Sequence, residues 1–96
     1  MSRKLLSPVQ DLEAVKWNGQ HLAIDAAPPW LRDAAKKGQE DGGAYQSFSD
    51  IWIYADGEIL ICNPGDYLVY FPAYRAIVPM KKRAFFLMMG GPVHEL

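Results

Sequence analysis

The clearest pattern of apolar and polar positions lies in the second half of the chain. Two apolar, β-rich runs at residues 51–54 and 59–62 flank the dipeptide Asp56-Gly57. Asp-Gly at the centre of a two-residue loop supplies the positive φ that a type I′ turn requires. These runs are therefore predicted to form a β-hairpin.

A second pair of strands is predicted after residues 63–65, which read Asn-Pro-Gly. Proline presets φ and glycine accepts the left-handed position, so this tripeptide indicates a tight turn. Asp66 is expected to hydrogen-bond back onto the turn. Residues 66–71 then form a strand, residues 72–74 turn the chain, and residues 75–80 return antiparallel, with Pro79 closing the strand. The aromatics here are explained by cross-strand pairing.

A short amphipathic helix is predicted at residues 29–37. Pro28 and Pro29 lie at its start and suit the first helical turn, and positions 30, 31, 34 and 35 form an apolar stripe. Gly38 fits a C-terminal cap, with two lysines in the last turn, where the helix dipole favours cations. Earlier, residues 12–17 suit a short strand followed by an Asn18-Gly19 turn. Residues 45–49 suit an edge strand.

The segment at residues 81–89 leaves two alternatives open, a short C-terminal helix or a final buried strand. Three cations at its start oppose a helix dipole, whereas the Gly-Gly-Pro at 90–92 suits a helix end. The prediction is a single α+β domain at 11–90, with a flexible arm at 1–10 and a tail at 91–96. In it a mostly antiparallel sheet of four or five strands packs against one short helix, and a second C-terminal helix is left open.

The predicted core combines the aromatics of the first half with the apolar strand residues of the second. Its members are Trp17, Trp30, Leu31, Ile51, Ile53, Ile59, Ile61, Leu68, Val69, Ile77, Phe85 and Met88.

Composition places the chain among globular proteins, because 50% of its 96 residues are hydrophobic and 22% are charged. A net charge of −1 gives no reason to expect a nucleic-acid or membrane partner. The start of the chain does not have the pattern of a signal peptide, and no apolar run approaches the ~20 residues of a membrane-spanning helix. Cys62 is the only cysteine, which excludes an internal disulfide. We expect a cytoplasmic protein.

No catalytic constellation is visible. His21 and His94 lie near opposite ends of the chain, Cys62 is interpreted as a small buried hydrophobe, and turn capping explains Asp66. We therefore expect a protein that is not an enzyme and that carries no metal or cofactor.

Three stretches carry a family resemblance: AVKWNGQHL (14–22), PPWLRDAAKKGQ (28–39) and NPGDYLVYFPAYRAIVPMKKRAFF (63–86). In this order they resemble a family of small, uncharacterised tailed-phage and prophage proteins. That family combines a Val-x-Trp strand, a Trp-Leu helix and a Pro-Gly-Asp-aromatic turn. The resemblance implies an accessory or virion-associated protein acting inside an infected bacterium, with Trp17, Trp30 and Tyr67 as core anchors.

Two functional hypotheses follow. The first is a non-catalytic binding module that engages a host protein or a small molecule. Arginine and tyrosine commonly anchor interfaces, and the aromatic and basic candidates for its site are Tyr70, Phe71, Tyr74, Arg75, Lys81, Lys82 and Arg83. The alternative is a minor head, tail or decoration component of the phage particle that self-associates through the sheet edge at 45–49. Either is compatible with a monomer or a small homo-oligomer.

Overall fold

The computed structural model describes residues 12–38 and 42–89. Their elements, in chain order, are β1 (Glu13–Lys16), a 3₁₀ turn (Ile24–Ala26), α1 (Pro29–Lys36), β2 (Ala44–Ser47), β3 (Asp50–Ala55), β4 (Glu58–Cys62), β5 (Tyr67–Phe71), β6 (Ala76–Met80) and α2 (Lys82–Met89). The arm and tail predicted at 1–10 and 91–96 lie outside the described residues, as does the Gly-Gly-Pro at 90–92.

The α+β class is confirmed, with two antiparallel sheets ordered β1-β5-β6 and β2-β3-β4. The described strands thus number six in two sheets, where the sequence predicted one sheet of four or five. The difference arises at the turn after β4. Gly65 N donates to Trp17 O (2.7 Å) and Trp17 N donates to Asp66 O (2.9 Å). These bonds attach the turn to the end of β1, so β5 pairs with β1 instead of folding back on β4.

The turns predicted at Asp56-Gly57 and at residues 63–65 are confirmed. Asp56 and Gly57 have φ of 49° and 82°, as a type I′ turn requires. In the next turn, Asp66 N donates to Asn63 O (2.9 Å), and Gly65 takes the left-handed conformation (φ 91°). Asp66 Oδ2 accepts the Asn63 N–H at 3.0 Å, which is the predicted return hydrogen bond. Both turns follow from local chemistry alone.

Hydrophobic side chains form two clusters on opposite faces of β5. The central cluster fills the space between the two sheets and α1, and includes Trp17, Trp30, Ile53 and Leu68. The second cluster lies between β5 and α2 and comprises Leu12, Tyr67, Val69 and Phe85. Because β5 is covered on both faces, its sequence is apolar throughout instead of alternating.

For two residues, the prediction that they belong to the core is wrong. Ile59 and Ile61 of β4 are 43% and 45% exposed. In the β3–β4 register Ile61 lies opposite Trp52, while Cys62 lies opposite the fully buried Ile51. Because β4 carries apolar residues on both of its faces, its sequence does not reveal which face turns inward.

The helices also refine the predictions. α1 ends at Lys36, and Lys37 is extended (φ −86°, ψ 152°). Gly38 does not have a positive φ, so the expected left-handed glycine cap does not form. Residues 82–89 are helical. Of the two alternatives for this segment, the C-terminal helix is therefore correct and the buried strand is not. Phe85 is fully buried, and its ring stacks on Tyr67 with centroids 4.1 Å apart.

Candidate functional site

A groove of about 1360 Å³ opens between α1 and the tips of the β3–β4 and β5–β6 hairpins. One wall is α1, which contributes residues from Trp30 to Lys36. The β3–β4 tip forms a second wall around Asp56, and the β5–β6 loop forms a third around Arg75. The volume of the groove exceeds that of ordinary small-molecule pockets, which measure roughly 300–1,000 Å³.

The floor of the groove includes a stacked aromatic pair, beside the buried side chains of Ala34, Ile53 and Ile77. The rings of Trp30 and Tyr70 stack with centroids 5.2 Å apart and planes only 3° from parallel. Trp30 Nε1 donates to Glu13 Oε2 at 2.6 Å, and Glu13 lies directly opposite Tyr70 across the β1–β5 ladder. Helix and sheet therefore hold the two rings in place together.

The rim of the groove carries charges of both signs, all on exposed side chains. The cations are Lys36 and Lys37 beside the end of α1 and Arg75 on the β5–β6 loop, and the anions are Asp33, Asp56 and Glu58. Among the described residues the rim thus has three charges of each sign, which give no net preference for a uniformly charged ligand such as a nucleic-acid backbone.

The β5–β6 loop presents two side chains at the groove. Hydrogen bonds from Tyr74 N to Phe71 O (3.1 Å) and from Arg75 N to Pro72 O (3.2 Å) close the loop. Arg75 has a φ of 49°, which is uncommon for a residue other than glycine. Tyr74 is 74% exposed and also lines the groove. A large apolar ring and a guanidinium group are therefore available to a ligand at this edge.

The seven side chains predicted from the sequence fall in separate places. Tyr70, Tyr74 and Arg75 line the groove. Phe71 packs instead against the second cluster. Lys82 and Arg83 lie on α2, where Lys82 Nζ is 5.7 Å from the centre of the Phe86 ring.

Lys81 has a structural contact at the turn after β4. Its Nζ lies 2.8 Å from Asp66 Oδ2 and 3.0 Å from Asn63 Oδ1. The Asn63 amide in turn donates to Asp50 Oδ1 at 3.1 Å. Lys81 therefore helps to hold the turn and does not reach the groove.

Sequence reasoning missed the contribution of α1 and of the β3–β4 tip. Asp33 and Lys36 lie on the polar side of α1, a helix to which the sequence analysis gave only a packing role. Asp56 was interpreted only as a turn residue. The polar stripe was a visible signal that this side of α1 is open to solvent. No local signal indicates that two hairpin tips, from different sheets, meet opposite it.

The described residues offer little reactive chemistry. Cys62 is fully buried, as the sequence predicted. Burial, reinforced by the negative charge of Asp66, raises the pKa of its thiol from 9.0 to about 12. It therefore stays protonated near neutral pH and is a poor nucleophile. Within 12–38 and 42–89, no three acidic, histidine or cysteine side chains are grouped to hold a metal ion.

The two helices of the described ranges are short, and neither has the length and apolar character to cross a membrane. Comparison of the sequence with protein-family models found no match. Comparisons with curated proteins and with solved structures likewise found no match.

Proposed function

We propose that this chain is a non-catalytic binding module whose groove receives a segment of another protein. The observation that carries the proposal is the groove itself, with the stacked Trp30–Tyr70 pair in its floor. The resemblance to phage and prophage proteins supports a host bacterial protein as the partner and the infected cell as the setting.

Size and charge favour a protein segment over a small molecule. A volume of about 1360 Å³ is larger than a drug-sized ligand fills. The rim offers cations near the end of α1 and anions on the β3–β4 tip, so a chain that carries both signs finds a counterpart for each. Such paired charges contribute to specificity and orientation more than to raw affinity.

Preorganisation favours binding at this place. The stacked pair in the floor is held by α1 and by the β1–β5 ladder before any ligand arrives, so little side-chain freedom is lost on binding. Tyrosine, tryptophan and arginine are the residue types most often found as interface anchors. One residue of each type lines the groove, namely Tyr74, Trp30 and Arg75.

Site-specific photocrosslinking tests this proposal with a matched control. A benzophenone side chain is placed at Tyr74 in one variant and at Leu87 in another, since these side chains are 74% and 76% exposed. Tyr74 lines the groove, whereas Leu87 lies on α2. Each variant is irradiated in a host bacterial lysate, and the adducts are identified by mass spectrometry.

We expect a defined protein adduct from position 74 that position 87 does not give. Unlabelled wild-type protein should compete for it, and an unlabelled Arg75→Ala variant should compete less well. Equal, diffuse crosslinking from both positions would contradict the proposal, as would an adduct at 74 that Arg75→Ala displaces as well as the wild type does.

A further inference from the structure

The outer face of the β2-β3-β4 sheet carries large apolar side chains. Tyr45 lies opposite Trp52, and Trp52 lies opposite Ile61, so one row crosses all three strands. The next row pairs Tyr54 with Ile59. The Tyr45 ring contacts those of Trp52 and Tyr54, with centroids 5.7 and 5.5 Å apart. We call these five residues the aromatic face.

The aromatic face contains no Asp, Glu, Lys or Arg. Tyr45 and Ile61 are 39% and 45% exposed on it. Charged residues lie at the two ends of the sheet. Asp50, at one end, has a carboxylate that accepts a hydrogen bond from the Asn63 amide, and Asp56 and Glu58 lie at the β3–β4 tip at the other end. Low charge and many aromatics distinguish the centres of protein interfaces from ordinary surface.

Phe48 stands at the tip between β2 and β3 and is 97% exposed. Its φ is 55°, a left-handed conformation that is an outlier for a bulky residue. Its carbonyl accepts a hydrogen bond from Gln46 Nε2 at 2.8 Å, and the next carbonyl, of Ser49, accepts one from Trp17 Nε1 at 2.6 Å. The tip is thus fixed in a strained form that presents an aromatic ring to solvent. Burial among the described residues does not account for this conformation of Phe48.

The β2 edge of this sheet is less available than its face. Leu22 N donates to Gln46 Oε1 at 2.7 Å, and Gln46 Nε2 donates to Gln20 O at 2.8 Å. These bonds tie a loop to β2, and α1 also contacts this strand. Such cover discourages edge-to-edge pairing, so we favour the face over the edge at 45–49 for self-association.

We propose that a second copy of this chain covers the aromatic face and Phe48, forming a symmetric homodimer. In a two-fold dimer each copy presents the same patch. A face without charged side chains meets itself with no like-charge repulsion, and a net charge of −1 adds little repulsion between whole chains. Homodimer interfaces are also more apolar than those between transient partners.

Sedimentation velocity on the full chain tests the dimer. We expect the wild type to move from the 10.8 kDa monomer to a species of twice that mass as its concentration rises from about 1 to about 100 µM, a range that covers micromolar affinities. Trp52→Lys and Phe48→Asn should each raise the dissociation constant by about tenfold or more, as loss of an interface anchor does. Leu87→Lys, which changes an exposed apolar residue on α2, should leave it unchanged.

The same series of variants includes a control for loss of folding. Asparagine adopts the left-handed conformation more readily than phenylalanine, so Phe48→Asn should fold at least as well as the wild type. A wild-type chain that stays monomeric throughout the range would overturn the proposal. So would a dimer that neither Trp52→Lys nor Phe48→Asn weakens. The two variants test the dimer without altering the groove lining, because neither Trp52 nor Phe48 lines the groove.

Discussion

Trp30 links the fold to the groove, because it belongs to the central cluster and also forms part of the groove floor. Trp30→Ala removes a 9% exposed ring, its stacking on Tyr70 and its hydrogen bond to Glu13. We expect a loss of about 3–5 kcal/mol in the free energy of unfolding, measured by chemical denaturation. The control is Tyr74→Ala, an exposed change expected to stay within about 0.5 kcal/mol. A Trp30→Ala loss below about 1 kcal/mol would mean that the ring contributes little to the fold.

Cys62 makes stability depend on pH in the alkaline range. An unfolded chain ionises this thiol near pH 9.0, whereas burial keeps it protonated in the folded chain up to about pH 12. Its contribution is therefore fully present below about pH 9 and is lost as the pH rises toward 12. The measurement is the difference in unfolding free energy between wild type and Cys62→Ala at each pH, which isolates the contribution of this thiol. That difference should shrink from pH 9 upward, and one that stays constant would contradict the raised pKa.

At the residue scale, the sequence predicted roles that depend on neighbours in the chain. Asp66 capping its own turn follows from residues within three positions of it. The exposure of Ile61 depends on which face of β4 meets the other sheet, which is settled only by packing. The left-handed Phe48 has no sequence signal, because the conformation is held by Gln46 and by Trp17, which is distant in sequence.

Two glycines test how turns position the elements. Gly19 and Gly57 have nearly equal φ, 83° and 82°. A Cβ on Gly57 meets nothing within 4 Å, whereas one on Gly19 would lie 2.7 Å from Pro64 Cγ. Gly57→Ala should cost about 1–2 kcal/mol from left-handed strain alone. Gly19→Ala should cost about 1–3 kcal/mol more, because the Pro64 ring cannot yield without moving its turn.

Urea denaturation of both variants gives the comparison, with wild type as the reference. Equal losses would show that the turn bearing Pro64 relaxes freely, and that the end of β1 does not constrain the entry into β5.

At the element scale, the sequence was most informative where an element ends in a distinctive turn. Asp56-Gly57 predicted the β3–β4 hairpin, and the paired prolines before Trp30 predicted the start of α1. α2 was ambiguous because its cations oppose the helix dipole, yet burial of Phe85 against Tyr67 outweighs that small term. The groove was beyond prediction, since it joins a helix to two hairpin tips from different sheets.

For the whole molecule, the β3–β4 hairpin carries both proposed surfaces. Its tip forms a wall of the groove, and its outer face holds the centre of the aromatic face. Ile59 borders both, since it lines the groove and pairs with Tyr54 on the aromatic face. A dimer formed through this face would therefore place two grooves in one particle, which increases the avidity for a partner that presents more than one segment.

The molecule as a whole should unfold in one step, because its two hydrophobic clusters share β5. Leu68 points into the central cluster and Val69 into the second, and both are fully buried. Loss of the second cluster thus uncovers a strand on which the first depends. Phe85→Ala should cost about 3–5 kcal/mol and should lower the stability of both clusters together.

Two spectroscopic probes show whether the chain unfolds as one cooperative unit or as two. Tryptophan fluorescence includes Trp17 and Trp30 of the central cluster, while far-UV circular dichroism also follows α2. Their denaturation curves should coincide for the wild type and should shift by the same amount in Phe85→Ala, as a two-state transition requires. A dichroism change that precedes the fluorescence change would mean that α2 detaches first. The shared strand would then fail to couple the two clusters, and the central cluster with its groove would be stable without α2.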